Sequence, residues 1–252
     1  MAERGKSEYS QSVTNALRLL GCFVEREERG ISELSRELGL SKSAVARIVA
    51  SLEDGRLLMQ NAETGKYRLG TGFLLYGSLV RERNELSRAL APALMQLAEK
   101  YQSTAHLAVL DGGELTIVNK VSAGPFVYMS SRVGGTLPIH ASATGKCILA
   151  WLPPERRREL IENAELHRYT ATTITDPAAL EAELAAIRER GYALDDGETH
   201  EGLFCVGCPV LDASGRVATA VSVSGSRAAL EPRLSEVVAS IRDELKKFGI
   251  CA

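Results

Sequence analysis

Serine alternates with valine near the end of the chain. In residues 221–224 this pattern predicts a strand, and because successive strand side chains point to opposite faces, the hydroxyls of Ser222 and Ser224 share one face. Cys205 lies within another candidate strand, and Asp195 ends the strand before it. These four side chains could hydrogen-bond to a small polar molecule.

A predicted helix N-terminus offers complementary donors. Ser142 and Ala143 open a helical pattern over 143–151, and the first turn of a helix carries unpaired N–H groups that suit a carboxylate or a phosphate. Together with the strand residues, this turn predicts a small cavity for an anionic or polar organic molecule. The alternative is that the serines face solvent and that Ser142 only caps the helix. The residues by themselves leave both interpretations open.

The sequence gives little support for a metal site or for a nucleotide-binding loop. Cys205 and Cys208 have metal-like spacing, but an offset of three on a strand sends two side chains to opposite faces, and no second pair completes a four-ligand site. Residues 140–147 do not form a phosphate-binding P-loop, because position 140 is histidine and position 147 is cysteine. We therefore expect no metal and no cofactor.

An enzyme is the rival hypothesis. A thiol nucleophile such as Cys205 or Cys147 would need a base such as His140 or His200. The histidines are far apart in sequence, and none lies in a recognisable catalytic motif, so no catalytic residue is expected. The alternative function is a metabolite-binding module, or an enzyme using Cys205 and His200, with an N-terminal assembly domain.

Residues 31–52 predict two short helices joined by a tight turn. Ser32 and Ser41 are candidate helix caps, and Gly39 falls where the first helix must end. Such a pair is the helix-turn-helix unit, whose second helix can enter a major groove of DNA. The residues at the start and on the outward face of this second helix that could meet DNA are Ser41, Lys42, Ser43 and Arg47.

A predicted β-hairpin follows this unit directly. Two short runs around 57–60 and 66–70 flank a polar turn that contains glycine. A hairpin behind a recognition helix is the wing of a winged helix, and Lys66 and Arg68 on it would touch the DNA backbone. The alternative is a small helical subdomain with a solvated hairpin.

The charge balance restricts how DNA could be bound. The chain of 252 residues has a net charge of −2. Residues 1–70 hold 11 Lys and Arg against 10 Asp and Glu, and the remainder holds 19 against 22. Since neither part is strongly basic, DNA binding must rest on a small patch and on dimerisation.

The cysteines and the hydropathy pattern indicate the compartment. Five scattered cysteines and the lack of a signal-peptide pattern favour a reducing cytoplasm over a disulfide framework. No apolar run approaches the roughly 18 residues that a membrane span needs. We therefore expect a cytoplasmic protein that does not enter a membrane.

The remaining helices are predicted from their apolar periodicity. A first helix over 13–25, capped by Ser12, would bury a stripe that consists of Ala16, Leu17, Leu20 and Val24. The densely apolar run 73–80 follows the wing and should lie against a second subunit. Helical periodicity then continues over 81–101, and Pro92 should kink or restart the helix.

The second half of the chain predicts an antiparallel sheet flanked by helices. Strands are expected over 106–110, 115–119, 126–133, 192–195, 203–211 and 217–224, and helices over 143–151, 154–163, 177–190 and 230–248. Such an arrangement belongs to the α+β class. The domain boundaries we expect are 9–70 for a winged helix-turn-helix, 71–85 for a linker helix and 86–252 for the second domain.

Taken together, these motifs resemble the IclR family of bacterial transcription regulators over nearly the whole length. The N-terminal residues that carry the resemblance are Ser12, Val13, Ala16, Leu17, Leu34, Gly39, Leu40, Ser41, Lys42, Ser43, Arg47, Leu52, Tyr67, Arg68, Leu69 and Gly70. The C-terminal ones include Gly135, Pro138, residues 142–146, Glu198, Gly202, Cys205, Pro209 and residues 222–224. Asn15 departs from the family, which often has arginine there, and Cys208 replaces a more usual alanine.

The resemblance implies a winged-helix DNA-binding domain, a linker helix and a GAF-like effector domain, assembled as a homodimer or homotetramer. It implies a repressor or activator that binds double-stranded operator DNA and responds to a small-molecule effector, expected to be a carboxylate. Its effector-contacting positions fall on Ser142 and Ala143, through backbone amides, and on Asp195, Cys205, Ser222 and Ser224. This set coincides with the one selected by the strand faces.

Overall fold

The chain divides into two units, Met1–Arg83 and Asn84–Ala252. The computed structural model describes residues 9–124, 131–212 and 215–248. Among these residues, no helix is both long and apolar enough to cross a bilayer. Each unit buries its own apolar core.

Three helices and a hairpin form the first unit. The helices are α1 (Gln11–Gly21), α2 (Ile31–Leu38) and α3 (Lys42–Asp54). The strands β1 (Leu58–Gln60) and β2 (Tyr67–Leu69) pair in antiparallel fashion. The helix-turn-helix followed by a wing is therefore confirmed, and its core includes Leu19, Phe23, Leu34, Val45, Val49, Leu58 and Tyr67.

The predicted buried stripe of α1 was partly wrong. Leu17 and Val24 are exposed, whereas Leu19 and Phe23 are buried. Both sets satisfy helical spacing around residues 16 and 20, so periodicity alone could not choose between the two sides. The helix also begins at Gln11, so Ser12 lies inside its first turn and is not the cap.

The turn between α2 and α3 follows from its residues. Gly39 adopts a left-handed conformation with φ of 68°, which ends α2. The hydroxyl oxygen of Ser41 accepts a hydrogen bond from the N–H of Ala44, which caps α3. Ser32 is not the cap of α2, because Gly30 occupies that position and the carboxylate of Glu33 accepts its N–H at 2.7 Å.

The helix that follows the wing leaves its apolar side chains uncovered. Helix α4 (Gly72–Arg83) has no buried residue, and Leu75 is 61% exposed. The next helix, α5 (Glu85–Tyr101), passes through Pro92. The helix therefore does not restart at Pro92: it starts after Asn84, whose side chain accepts the N–H of Ser87 and so caps α5.

A six-stranded antiparallel sheet forms the centre of the second unit. Its strands are β3 (Thr104–Asp111), β4 (Glu114–Ser122), β5 (Thr136–Leu137), β6 (Ala193–Asp196), β7 (Leu203–Leu211) and β8 (Val217–Ser226). Their order across the sheet is β5-β4-β3-β8-β7-β6. The α+β class is confirmed. Of the strand expected over 126–133, most lies outside the described residues, and β5 was not expected.

Helices cover both faces of this sheet. They are α6 (Ala143–Trp151), α7 (Pro154–Asn163), α8 (Pro177–Arg190), α9 (Arg227–Leu230) and α10 (Leu234–Lys246). Helices α5 and α10 share one core with one face, and α6, α7 and α8 share a second core with the opposite face. The last predicted helix began too early, because a 3₁₀ turn that contains Pro232 separates α9 from α10.

Gly207 lets α6 lie directly on the sheet, and Gly145 lets the segment before α6 pack against the first turn of the helix. A Cβ at Gly207 would lie 3.0 Å from the carbonyl of Ala143, and one at Gly145 would lie 2.3 Å from the carbonyl oxygen of Ile139. The thiol of Cys147 also donates to the carbonyl oxygen of Gly207 at 3.1 Å. The first turn of α6 is therefore held against β7.

A buried ion pair joins α6 to the loop between β6 and β7. The ammonium of Lys146, whose side chain is 1% exposed, contacts one carboxylate oxygen of Glu198. The other oxygen, Oε2 of Glu198, is buried without a partner among the described residues. Burial raises the pKa of Glu198, and Lys146 opposes this rise.

We predict that Lys146→Met destabilises the second unit by about 3–5 kcal/mol, because it leaves a buried carboxylate unpaired. The loss should be smaller at pH 5 than at pH 8, since Glu198 has a raised pKa and can take up a proton. The double variant Lys146→Met/Glu198→Gln should recover most of the stability. Urea unfolding followed by the fluorescence of Trp151, the one tryptophan of the chain, measures this unit. Equal losses in the single and double variants would contradict the prediction.

Candidate functional site

The second helix of the helix-turn-helix presents a small cationic face. Lys42, Ser43 and Arg47 are exposed, while Val45 and Val49 on the other side are buried. Among the described residues, no carboxylate lies within ion-pair distance of Lys42 or Arg47. This face can therefore approach a polyanion without first breaking a salt bridge.

The two cationic residues of the hairpin differ in their surroundings. Lys66 lies 3.3 Å from a carboxylate oxygen of Glu33, so its charge is largely matched. Arg68 is exposed on β2, opposite Met59. Glu28 fixes the hairpin turn by accepting hydrogen bonds from the Asn61 amide at 2.6 Å and the Thr64 hydroxyl at 2.9 Å, and these bonds lower its pKa. Arg68 is the better phosphate contact of the two.

Register brings the predicted strand residues of the second unit together. Ser224 lies opposite Cys205 on β7, and Cys205 lies opposite Asp195 on β6. Since directly opposed residues of antiparallel strands project to the same face, the three form one row. Ser222 begins a neighbouring row, opposite Gly207.

The first turn of α6 lies beside these rows because Ala143 packs on Gly207. The N–H of Ser142 already donates to the carbonyl oxygen of Pro138 at 3.0 Å. The N–H groups of Ala143 and Thr144 donate to no acceptor among the described residues. The two amides that remain to hold an anion are therefore those of residues 143 and 144, shifted by one residue from the expected pair.

Thr144 adds an unused hydrogen-bonding group. Its hydroxyl is buried and has no partner among the described residues. Leaving such a group unsatisfied costs about 1–3 kcal/mol, which a bound polar ligand could recover.

Asp195 has a structural use of its own. Its Oδ1 accepts the N–H groups of Glu198 at 2.8 Å and Thr199 at 3.1 Å, and its Oδ2 accepts the Thr199 hydroxyl. Burial nevertheless raises its pKa, because desolvation outweighs these hydrogen bonds. Asp195 therefore shapes the loop after β6 and also lies at the end of the polar row.

The two cysteines of β7 are inert in different ways. The thiol of Cys205 lies 3.9 Å from Oδ2 of Asp195, and burial together with this carboxylate raises its pKa well above the usual value. Cys208 packs in the core on the opposite face, as strand alternation requires, and burial raises its pKa to about 12. His200 is exposed and contacts the carbonyl of Glu201. Among the described residues, no histidine is hydrogen-bonded to either thiol.

Part of this face was not expected from the sequence. Thr104 lies opposite Ser224, and His106 lies opposite Ser222, so both extend the two rows onto β3. Lys120 lies opposite His106 on β4. Polar and apolar residues alternate in 104–107, which could have indicated this face. The strand was predicted to start at residue 106, so Thr104 was left outside it and the alternation was not recognised. In the described part of the chain, no cluster of three or more His, Cys, Asp or Glu side chains could hold a metal ion.

Comparison with known proteins agrees with both units. Residues 12–62 match the IclR helix-turn-helix domain, and residues 79–248 match the family described as bacterial transcriptional regulator IclR C-terminal. The HTH-type transcriptional regulator XynR of Escherichia coli K12 is 34% identical over 242 residues, covering 95% of this chain and 94% of XynR.

Two solved structures share the fold over nearly the whole chain. The Thermotoga maritima IclR superposes with a TM-score of 0.78 at 29% identity, covering 94% of this chain and 97% of that one. An IclR homolog from Microbacterium hydrocarbonoxydans, complexed with 4-hydroxybenzoate, gives a TM-score of 0.77 at 28% identity, covering 94% and 100%. The winged helix, the α+β unit and these matches together identify the chain as a member of the IclR family of bacterial transcription regulators, ligand-responsive proteins that bind DNA.

Proposed function

We propose that this regulator senses a small organic acid in its second unit and binds double-stranded operator DNA through its first. The observation that carries the proposal is the pair of unpaired N–H groups on Ala143 and Thr144, set beside buried polar rows of the sheet. Helix N-terminal amides favour a carboxylate because they combine free donors with the positive end of the helix dipole.

The positions of the α6 amides and of the polar rows on the sheet suggest which groups contact the acid. Its carboxylate accepts from the amides at the start of α6, where Ser142 caps the helix and Ala143 supplies a donor. Ser222, Ser224 and Cys205 meet its other polar groups, and Asp195 closes the row. A related protein of known structure holds 4-hydroxybenzoate, an acid with a second polar group, which supports this ligand class.

On DNA, α3 enters the major groove. Ser41 caps the helix, and Lys42, Ser43 and Arg47 meet base edges or phosphates. Lys66 and Arg68 of the wing touch the backbone. The corresponding domains are 9–70 for DNA binding, 71–85 for the linker helix and 86–252 for the effector.

Binding without turnover fits the surroundings of the thiols. Cys205 faces a carboxylate and has a raised pKa, so it lacks the thiolate that nucleophilic catalysis requires. We therefore infer that the protein is not an enzyme. Because its target is operator DNA, it acts in the cytoplasm.

The exposed apolar side chains of α4 support assembly into a homodimer or homotetramer. Leu74, Leu75, Tyr76 and Val80 are each more than half exposed on one short helix. Contiguous apolar surface of this kind marks an interaction site. A homodimer places two recognition helices on operator half-sites about one helical turn, or a multiple of it, apart.

Arg47 is expected to read a base. A bidentate arginine–guanine contact discriminates by about 1–3 kcal/mol, so Arg47→Ala should lose operator preference more than general DNA affinity. Arg68→Ala is the matched control and should weaken operator and random DNA alike. Gel-shift titrations of both variants on both DNAs measure this. Equal losses for Arg47→Ala would make Arg47 a phosphate contact.

Leu75→Glu should weaken association and operator binding together, because it would place an unpaired carboxylate in an apolar interface. Leu75→Met keeps the surface apolar and should assemble normally. Light scattering and operator binding on the same samples test the link. A wild-type protein that is monomeric at micromolar concentration would refute the assembly.

The experiment that tests the acid site uses a panel of organic acids, including pyruvate, benzoate and 4-hydroxybenzoate, with operator affinity and thermal stability as readouts. At least one acid should change operator affinity. Ser222→Ala with Ser224→Ala should weaken that response about tenfold or more, because each lost hydrogen bond costs about 0.5–1.5 kcal/mol. Affinity for the operator without acid should stay the same. An unchanged effector midpoint would place the site elsewhere.

A further inference from the structure

The polar face of the sheet continues beyond the residues that meet the acid group. The row that starts at Gly207 on β7 passes through Ser222 on β8 and His106 on β3 to Lys120 on β4. Directly opposed residues project to one face, so His106 and Lys120 lie on the same face as the α6 amides. The row crosses four adjacent strands.

Strand spacing sets the length of this face. Neighbouring strands lie about 4.8 Å apart, so the backbone of His106 is about 10 Å from Gly207 and that of Lys120 about 14 Å. Because Ala143 packs on Gly207, the same spans separate the amides from the two distal residues. A short acid held by the amides therefore covers the Ser222 end of this face, and a longer one extends toward the two distal residues.

The distal residues are positioned before any ligand arrives. Nε2 of His106 lies 3.1 Å from the hydroxyl of Ser131, and the ammonium of Lys120 donates to the carbonyl oxygen of Ser131 at 2.7 Å. His106 is almost fully buried, and burial together with nearby Lys120 lowers its pKa to about 3, so the ring is neutral. A neutral imidazole carries one N–H donor and an ammonium carries three, so both side chains are of a type that binds an oxygen acceptor.

We propose that the pocket has two ends and that His106 and Lys120 bind a second oxygen-bearing group, most simply a carboxylate, at the end of the effector farthest from α6. This inference rests on the proposed acid site and narrows its ligand class. The effector is then an acid of about six carbons or more with a terminal carboxylate or hydroxyl. Ser222 lies between the two ends, and Thr104 lies beside His106 on the same face of β3.

The test compares straight-chain acids that differ in length and in their far end. Adipate carries a second carboxylate, hexanoate has the same length with a methyl group there, and pyruvate is short. Calorimetric titration of the full-length protein should show adipate binding about tenfold or more tighter than hexanoate and pyruvate, the gain expected from one charge-assisted hydrogen bond. Equal affinity for adipate and hexanoate would overturn the proposal.

Two variants test whether the preference for adipate over hexanoate arises at the distal end. Lys120→Met should abolish the advantage of adipate while leaving hexanoate unchanged, and Lys246→Met, the same change at an exposed site on α10, should alter neither. His106→Gln, checked for folding by Trp151 fluorescence, should reduce the advantage independently of Lys120. A Lys120→Met variant that weakens all acids equally would show a general electrostatic effect and refute the assignment.

The results of these titrations distinguish failure of the distal binding end from failure of the acid site at the α6 amides. If hexanoate or pyruvate binds and changes operator affinity but adipate gains nothing, the acid site stands and only the distal end is refuted. If no acid in the series binds at millimolar concentration, the carboxylate site itself fails, and the two-ended pocket fails with it.

Discussion

The contact between the first turn of α6 and Gly207 is the constraint on which the site depends. A Cβ at this position would lie 3.0 Å from the carbonyl of Ala143, closer than most Cβ contacts, so glycine lets the helix lie this close to β7 without displacing it. The same contact puts the unpaired amides of Ala143 and Thr144 beside Ser222 and Cys205. A helix held farther out would leave the strand hydroxyls and the amides too far apart to share one small ligand.

The charges around this contact favour amides over a cation as the anchor of an acid. Lys146, the cation nearest the turn, is already paired with Glu198, and Asp195 adds a second carboxylate nearby. Desolvation raises the pKa of both acids, which shows that the surroundings resist further negative charge. An anionic ligand is therefore stable here only where it accepts several directed N–H bonds, and its specificity follows from their geometry.

The features of this molecule that depend on local sequence patterns were predicted better than those that depend on tertiary packing. Helical periodicity and strand alternation placed α6, α7, α8 and β7 within their observed bounds, and alternation alone selected Ser222 and Ser224. Periodicity failed for Leu17, because two sides of α1 satisfy it equally and only the packing of the core decides. Alternation in 104–107 could have placed His106 on a polar face, but its position beside Ser222 follows from a register that joins strands more than a hundred residues apart.

The modest charge of the DNA-binding unit makes a small-molecule switch workable. Residues 1–70 carry a net charge of only +1, and Lys66 is matched by Glu33, so a single recognition helix gains little from phosphates. Two linked heads bind far more tightly than one, because the second contact is made at high effective concentration. In the proposed homodimer, a typical coupling of about 1–3 kcal/mol between effector and DNA shifts operator affinity about 5- to 150-fold.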